Sequence, residues 1–94
     1  MVVTRSNRTV VRAILGAFAP AVDGCGGDIE LTVLRNDSPM PEDDFLRPHA
    51  GAVLTAFTFD APTLAPGSEV DIQLTFVGGP RGGRPVVQEI AAAA

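Results

Sequence analysis

The stretch from Glu69 to Val77 constrains this chain most: Val70, Ile72, Leu74 and Phe76 alternate there with Glu69, Asp71, Gln73 and Thr75. Side chains of an extended strand point alternately to opposite faces, so a period of two buries the first set and wets the second. A helix would scatter the same apolar residues around its circumference. Residues 28–35 repeat the pattern, with Ile29, Leu31 and Val33 on one face and Glu30 and Thr32 on the other. Residues 52–59 are apolar nearly throughout and carry Val53, Thr55, Phe57, Thr58 and Phe59, which predicts a strand covered on both sides. Val86 to Ile90 form a short last strand.

Eight prolines and ten glycines divide the chain into these short apolar runs, the punctuation of an all-β domain. Gly78-Gly79-Pro80-Arg81-Gly82-Gly83-Arg84-Pro85 reads as a flexible hairpin loop, because glycine permits positive φ and proline cannot donate to a ladder. Residues 36–50 read as a long loop. Residues 9–18 fit two readings. Val10, Val11, Ile14, Leu15 and Phe18 have helical spacing, but the β-branched content and Gly16 favour a strand.

At 94 residues the chain supports one domain, read here as 1–94 with 1–8 and 91–94 as terminal arms. A net charge of −4 argues against a nucleic-acid partner, which requires a basic surface. All seven cations are arginine, and they are unevenly placed. Residues 1–20 hold Arg5, Arg8 and Arg12 with no acid, whereas ten of the eleven acids lie in 21–79. Basic ends flanking an acidic middle suit either a solvated surface or head-to-tail complementarity between copies. A single cysteine, Cys25, excludes an internal disulfide. No apolar run reaches the roughly 18 residues of a membrane span and no signal peptide is evident, so an intracellular or virion-associated setting is expected.

The run Thr63-Leu64-Ala65-Pro66-Gly67-Ser68-Glu69-Val70 leads into the alternating strand, and a glycine-rich loop and a last strand follow. This resembles the L-x-P-G-x-x-Y approach to the sixth strand of a fibronectin type III domain, with Val70 where the family has tyrosine and no tryptophan in the second strand. The resemblance covers residues 9–90. It implies an immunoglobulin-like β-sandwich of six or seven antiparallel strands, with 9–19, 28–35, 52–60, 69–77 and 84–90 among them. The alternative is a five-stranded OB-type barrel, whose last two strands the segment from Leu64 to Ile90 also suits. An OB-type surface for single strands needs stacking aromatics. Phe57, Phe59 and Phe76 lie in apparent core runs, so nucleic-acid binding is not expected from a barrel either.

The candidates for chemistry are few. His49 lies between Pro48 and Ala50 with no nucleophile motif beside it, and reads as a surface residue. Cys25, in Asp23-Gly24-Cys25-Gly26-Gly27, has no basic neighbour in sequence to activate its thiol. Glu42, Asp43 and Asp44 lack the spaced ligands of a calcium loop and read as a solvated acidic loop or an arginine-binding patch. Arginine is a favoured interface residue. The expected partner-binding residues are therefore Arg81 and Arg84 in one loop, and Glu42, Asp43, Asp44 and Phe45 in the other. No catalytic residue, cofactor or metal is assigned. The function expected is a non-enzymatic structural or interaction module. Its partner is a protein or copies of itself, as in a subunit that decorates or cements a phage capsid or tail. The alternatives are an accessory domain that binds carbohydrate or protein, and an OB-type binder.

Overall fold

A computed structural model describes residues 7–44, 46–79 and 82–93, and the side chains of Asp43 and Gly79 are not among what it describes. Five strands follow one another: β1 (Thr9–Pro20), β2 (Gly27–Asn36), β3 (Val53–Thr58), β4 (Glu69–Gly79) and β5 (Gly82–Ala92). They join in the order β1-β2-β3-β5-β4, and β4 returns to β1 to close a barrel. All neighbours are antiparallel except β3 and β5, which run parallel and meet in register at Phe57 and Val86.

This closed barrel fits the OB-type alternative and corrects the expected sandwich of six or seven strands. The two architectures share the same alternation, because each has one dry face and one wet face. They differ in whether the sheet has free sides or closes on itself, and that is decided by a contact between β3 and β5. Asn36, read as the start of the long loop, is the last residue of β2 and pairs with Val11, while residues 37–50 contribute no strand among the described residues, only a short 3-10 turn at Pro41–Asp43. The first strand that a fibronectin-type sandwich would need in residues 1–6 falls outside the described residues.

The interior is filled by the inward-facing sets. Val11, Ala13 and Leu15 come from β1, Ile29, Leu31 and Val33 from β2, Ala56 from β3, and Val70, Ile72 and Leu74 from β4. Leu46 and Leu64 reach this core from the two long loops. Closure depends on β1, the longest strand, which changes partners along its length. Residues 9–14 pair with β4, while the strand also pairs with β2 from Val11 to Pro20. The register with β2 slips between Leu15 and Phe18, where Gly16 and Ala17 oppose Glu30 alone. A β-bulge of this kind bends a strand and increases its twist, as a small barrel needs. Gly16 permits the bulge, since a Cβ there would stand 2.8 Å from the Glu30 carbonyl oxygen. Just before the bulge, where pairing with β4 ends at Ile14, the Ser68 carbonyl accepts from the Leu15 amide at 2.9 Å.

The ambiguous residues 9–18 are therefore strand: Val11 and Leu15 are buried, Val10 and Ile14 are apolar residues on the alternate, half-buried positions, and the bulge sets the phase of Phe18. At the other end, β5 continues through Ala91 and Ala92, taking in half of the alanine tail read as an arm.

Candidate functional site

The residues with the strongest interface chemistry gather where β3 and β5 meet. Phe57 faces outward from β3 and is half-buried. Its register partner Val86 is 6% exposed, yet lies outside the central core cluster. The Arg84 guanidinium sits over the Phe57 ring, 4.3 Å from its centroid, in cation–π geometry. Phe59, just past the end of β3, meets Phe57 edge to face, with centroids 5.0 Å apart at 89°. Phe59 is 70% exposed. Gly26, at the end of the β1–β2 loop, closes the other side. Its φ of +74° favours glycine, and a Cβ would meet the Phe57 ring at 2.9 Å. Asp28, the register partner of Phe57 on β2, gives this surface an acidic border.

A cleft of about 380 Å³ adjoins the aromatic pair between residues 58–63 and the second half of β5. Its apolar lining comes from Phe59, Pro62, Val87 and Ile90, and its charge from Asp60 and Glu89. Between Gln73 and Leu74 of β4 the register with β5 slips, so Gln88 has no partner. The bulge explains why Val87 and Ile90 both pack against the core while Gln88 and Glu89 are exposed.

The acidic loop does a different job from the one its composition predicts. Asp44 is 5% exposed, and its Oδ1 accepts from the Thr9 hydroxyl at 2.7 Å and from the Arg47 amide at 2.8 Å. Its Oδ2 accepts from Asn36 Nδ2 at 2.7 Å. Asn36 Oδ1 in turn accepts from the Ser38 hydroxyl and amide, and Ser38 Oγ accepts from the Val10 amide at 3.0 Å. Burial pushes the Asp44 carboxyl up, but hydrogen bonds from Asn36, Thr9, the Arg47 amide and Ser38 outweigh it and leave the pKa below the ordinary aspartate value. Asp44 thus pins the long loop to β1, while Glu42 is exposed. Burial of Asp44 corrects the reading of 42–44 as a uniformly solvated triplet. Arg81 and Phe45 lie outside the described residues, as does the side chain of Asp43. Among the described residues, Arg84 is the expected contact residue that lies beside the aromatic pair.

Phe57 and Phe59 were expected in the core and instead form the surface. The alternation in 53–58 carried the signal: Leu54, Ala56 and Thr58 face inward, leaving Val53, Thr55 and Phe57 outside. His49 is exposed, its Nδ1 3.0 Å from the Ala50 carbonyl oxygen. Cys25 is exposed in the β1–β2 loop, where its amide donates to Asp23 Oδ1. Compared with protein-family models, curated proteins and solved structures, the chain matches none.

Proposed function

We propose that the chain is a non-enzymatic interaction module of OB-type architecture that engages a protein partner, or copies of itself, through the surface formed by Phe57, Phe59 and Arg84. The supporting observation is that Phe59, 70% exposed, stands against a half-buried Phe57 that Arg84 covers. Aromatic and arginine side chains are the usual anchors of interface centres, and an exposed aromatic cluster gains most when a partner covers it. By analogy of fold alone, OB-type barrels use the strand 2–3 face and the loops between strands 1–2 and 4–5 as a binding surface, there for oligonucleotides and oligosaccharides. A subunit that decorates or cements a larger assembly, such as a phage capsid or tail, is the most specific form of this reading. The division into basic ends and an acidic middle favours it. The test is affinity capture with the full chain from its native source, scored for a stoichiometric partner that Phe59→Ser and Arg84→Glu lose and the distant Arg35→Ala keeps. A capture profile unchanged by the first two variants overturns the assignment.

A second reading, a carbohydrate-binding accessory domain, draws on the exposed Phe59 ring beside the carboxylates of Asp60 and Glu89, a stacking face next to hydrogen-bond acceptors. A glycan array that responds to the wild type and not to Phe59→Ser would favour it. Binding of single-stranded nucleic acid is the least favoured, because Asp28, Asp60 and Glu89 border the aromatic pair and would repel phosphate.

A further inference from the structure

We propose that the cleft at the β3–β5 seam receives an extended segment of a protein partner that carries a basic side chain and adds as a strand to the open edge of β5. This rests on the interaction-module reading and supplies the chemistry of the partner. β5 pairs with β4 from Gly82 to Ala92, but with β3 only at Val86. From Val87 onward its other edge runs beside the 59–68 loop, and among the described residues no backbone hydrogen bond joins that loop to β5. A row of main-chain donors and acceptors left on a strand edge is completed by an incoming extended chain, whose side chains then enter the pockets alongside.

The cleft beside this edge specifies which side chains. At about 380 Å³ it is within the range of ligand-holding clefts, roughly 300–1,000 Å³. Pro62, Val87 and Ile90 supply apolar walls, and Asp60 and Glu89 supply two carboxylates. Among the described residues neither carboxylate has a cation within salt-bridge distance, unlike Asp71 and Asp37, which arginines hold. The Gln88 bulge brings this about by turning Glu89 outward while Val87 and Ile90 stay inward. Apolar walls with acidic rims match arginine or lysine, whose aliphatic stem covers carbon while its head reaches a carboxylate.

The test titrates the isotope-labelled full chain with a synthetic peptide of alternating valine and arginine and follows backbone amide shifts. Expected are shifts confined to residues 58–63 and 86–92, binding at least about tenfold weaker for the valine–glutamate counterpart, and loss of binding when alternate peptide amides are N-methylated. Asp60→Lys and Glu89→Lys, both at exposed positions, should reverse the charge preference with the circular dichroism unchanged. Equal binding of the acidic peptide, full binding of the N-methylated one, or shifts elsewhere overturns the proposal. Self-association in sedimentation that Glu89→Lys abolishes overturns it in favour of a second copy as the occupant. A partner lost with Phe59→Ser but kept by both lysine variants overturns strand addition and leaves the interaction-module reading standing.

Discussion

The Arg84 guanidinium lies 4.3 Å above the Phe57 ring, joining β5 to β3 on the outer surface at the point where the barrel closes. The same stack leaves Phe59 as the uncovered member of the group. Fold and function therefore separate on neighbouring rings. Phe59→Ser is expected to leave the urea midpoint nearly unchanged or raised slightly, since little of its ring is buried, while abolishing partner capture. Phe57→Ala is expected to lower the midpoint clearly, because it exposes Val86 as well as removing the ring. A Phe59→Ser protein that unfolds as readily as Phe57→Ala would refute this division.

Closure also depends on Gly16. A methyl group there would sit 2.8 Å from the Glu30 carbonyl oxygen and 2.9 Å from its Cβ, and the first of these is backbone that cannot swing away. Gly16→Ala is expected to destabilise the barrel by about 1–3 kcal/mol, the range for overpacking. Urea unfolding measures it, and the m-value should stay constant if the native state remains the same barrel.

The interior gives a larger effect. Leu31 is fully buried on β2, with Leu15 and Leu54 as its register partners on either side. Leu31→Ala removes its packing and leaves a cavity, at an expected cost of about 2–5 kcal/mol. In a 94-residue domain that is a large part of the whole stability. Thermal unfolding by calorimetry checks it, and a loss below about 1 kcal/mol would mean that the core is not organised around this strand.

What the sequence revealed of this fold follows the range over which each signal acts. β2 and β4 are legible because alternation is local, and Ile29 to Val33 and Val70 to Leu74 face inward as their period requires. Barrel closure is not legible, since it rests on Phe57 meeting Val86 in a parallel pair that no local pattern announces. Residues 9–18 are ambiguous for a physical reason: Val10 and Ile14 put apolar residues on the half-buried positions between Val11, Ala13 and Leu15, and the Gly16 bulge then shifts the phase at Phe18. Phe57 and Phe59 read as core because aromatic mass outweighs phase, and the small inward residues Ala56 and Thr58 mark that face only weakly. Arg84 is legible as a surface residue from its glycine-rich surroundings, but its stack on Phe57 is not. The segment read as a loop is strand through Gly79 and again from Gly82, and Arg84 stands on β5 opposite Val77.

Asp44 shows the same limit and carries a pH dependence. Nothing near Glu42-Asp43-Asp44 indicates which carboxylate turns inward, because the Thr9 hydroxyl and the Asn36 amide that hold Asp44 come from β1 and β2. Those bonds keep its pKa below the ordinary aspartate value in the folded chain. The unfolded chain, with an aspartate pKa near 3.9, takes up the proton first as pH falls. The stabilisation is therefore complete above about pH 4 and is lost as pH drops through the folded pKa. Asp44→Asn should cost about 1–3 kcal/mol at pH 7, where hydrogen bonds to a charged acceptor are lost, and should flatten the fall in stability below about pH 4. Glu42→Gln, at an exposed position, should change neither. Urea midpoints measured across that range decide it. An Asp44→Asn protein with wild-type acid sensitivity would show that another group governs acid unfolding.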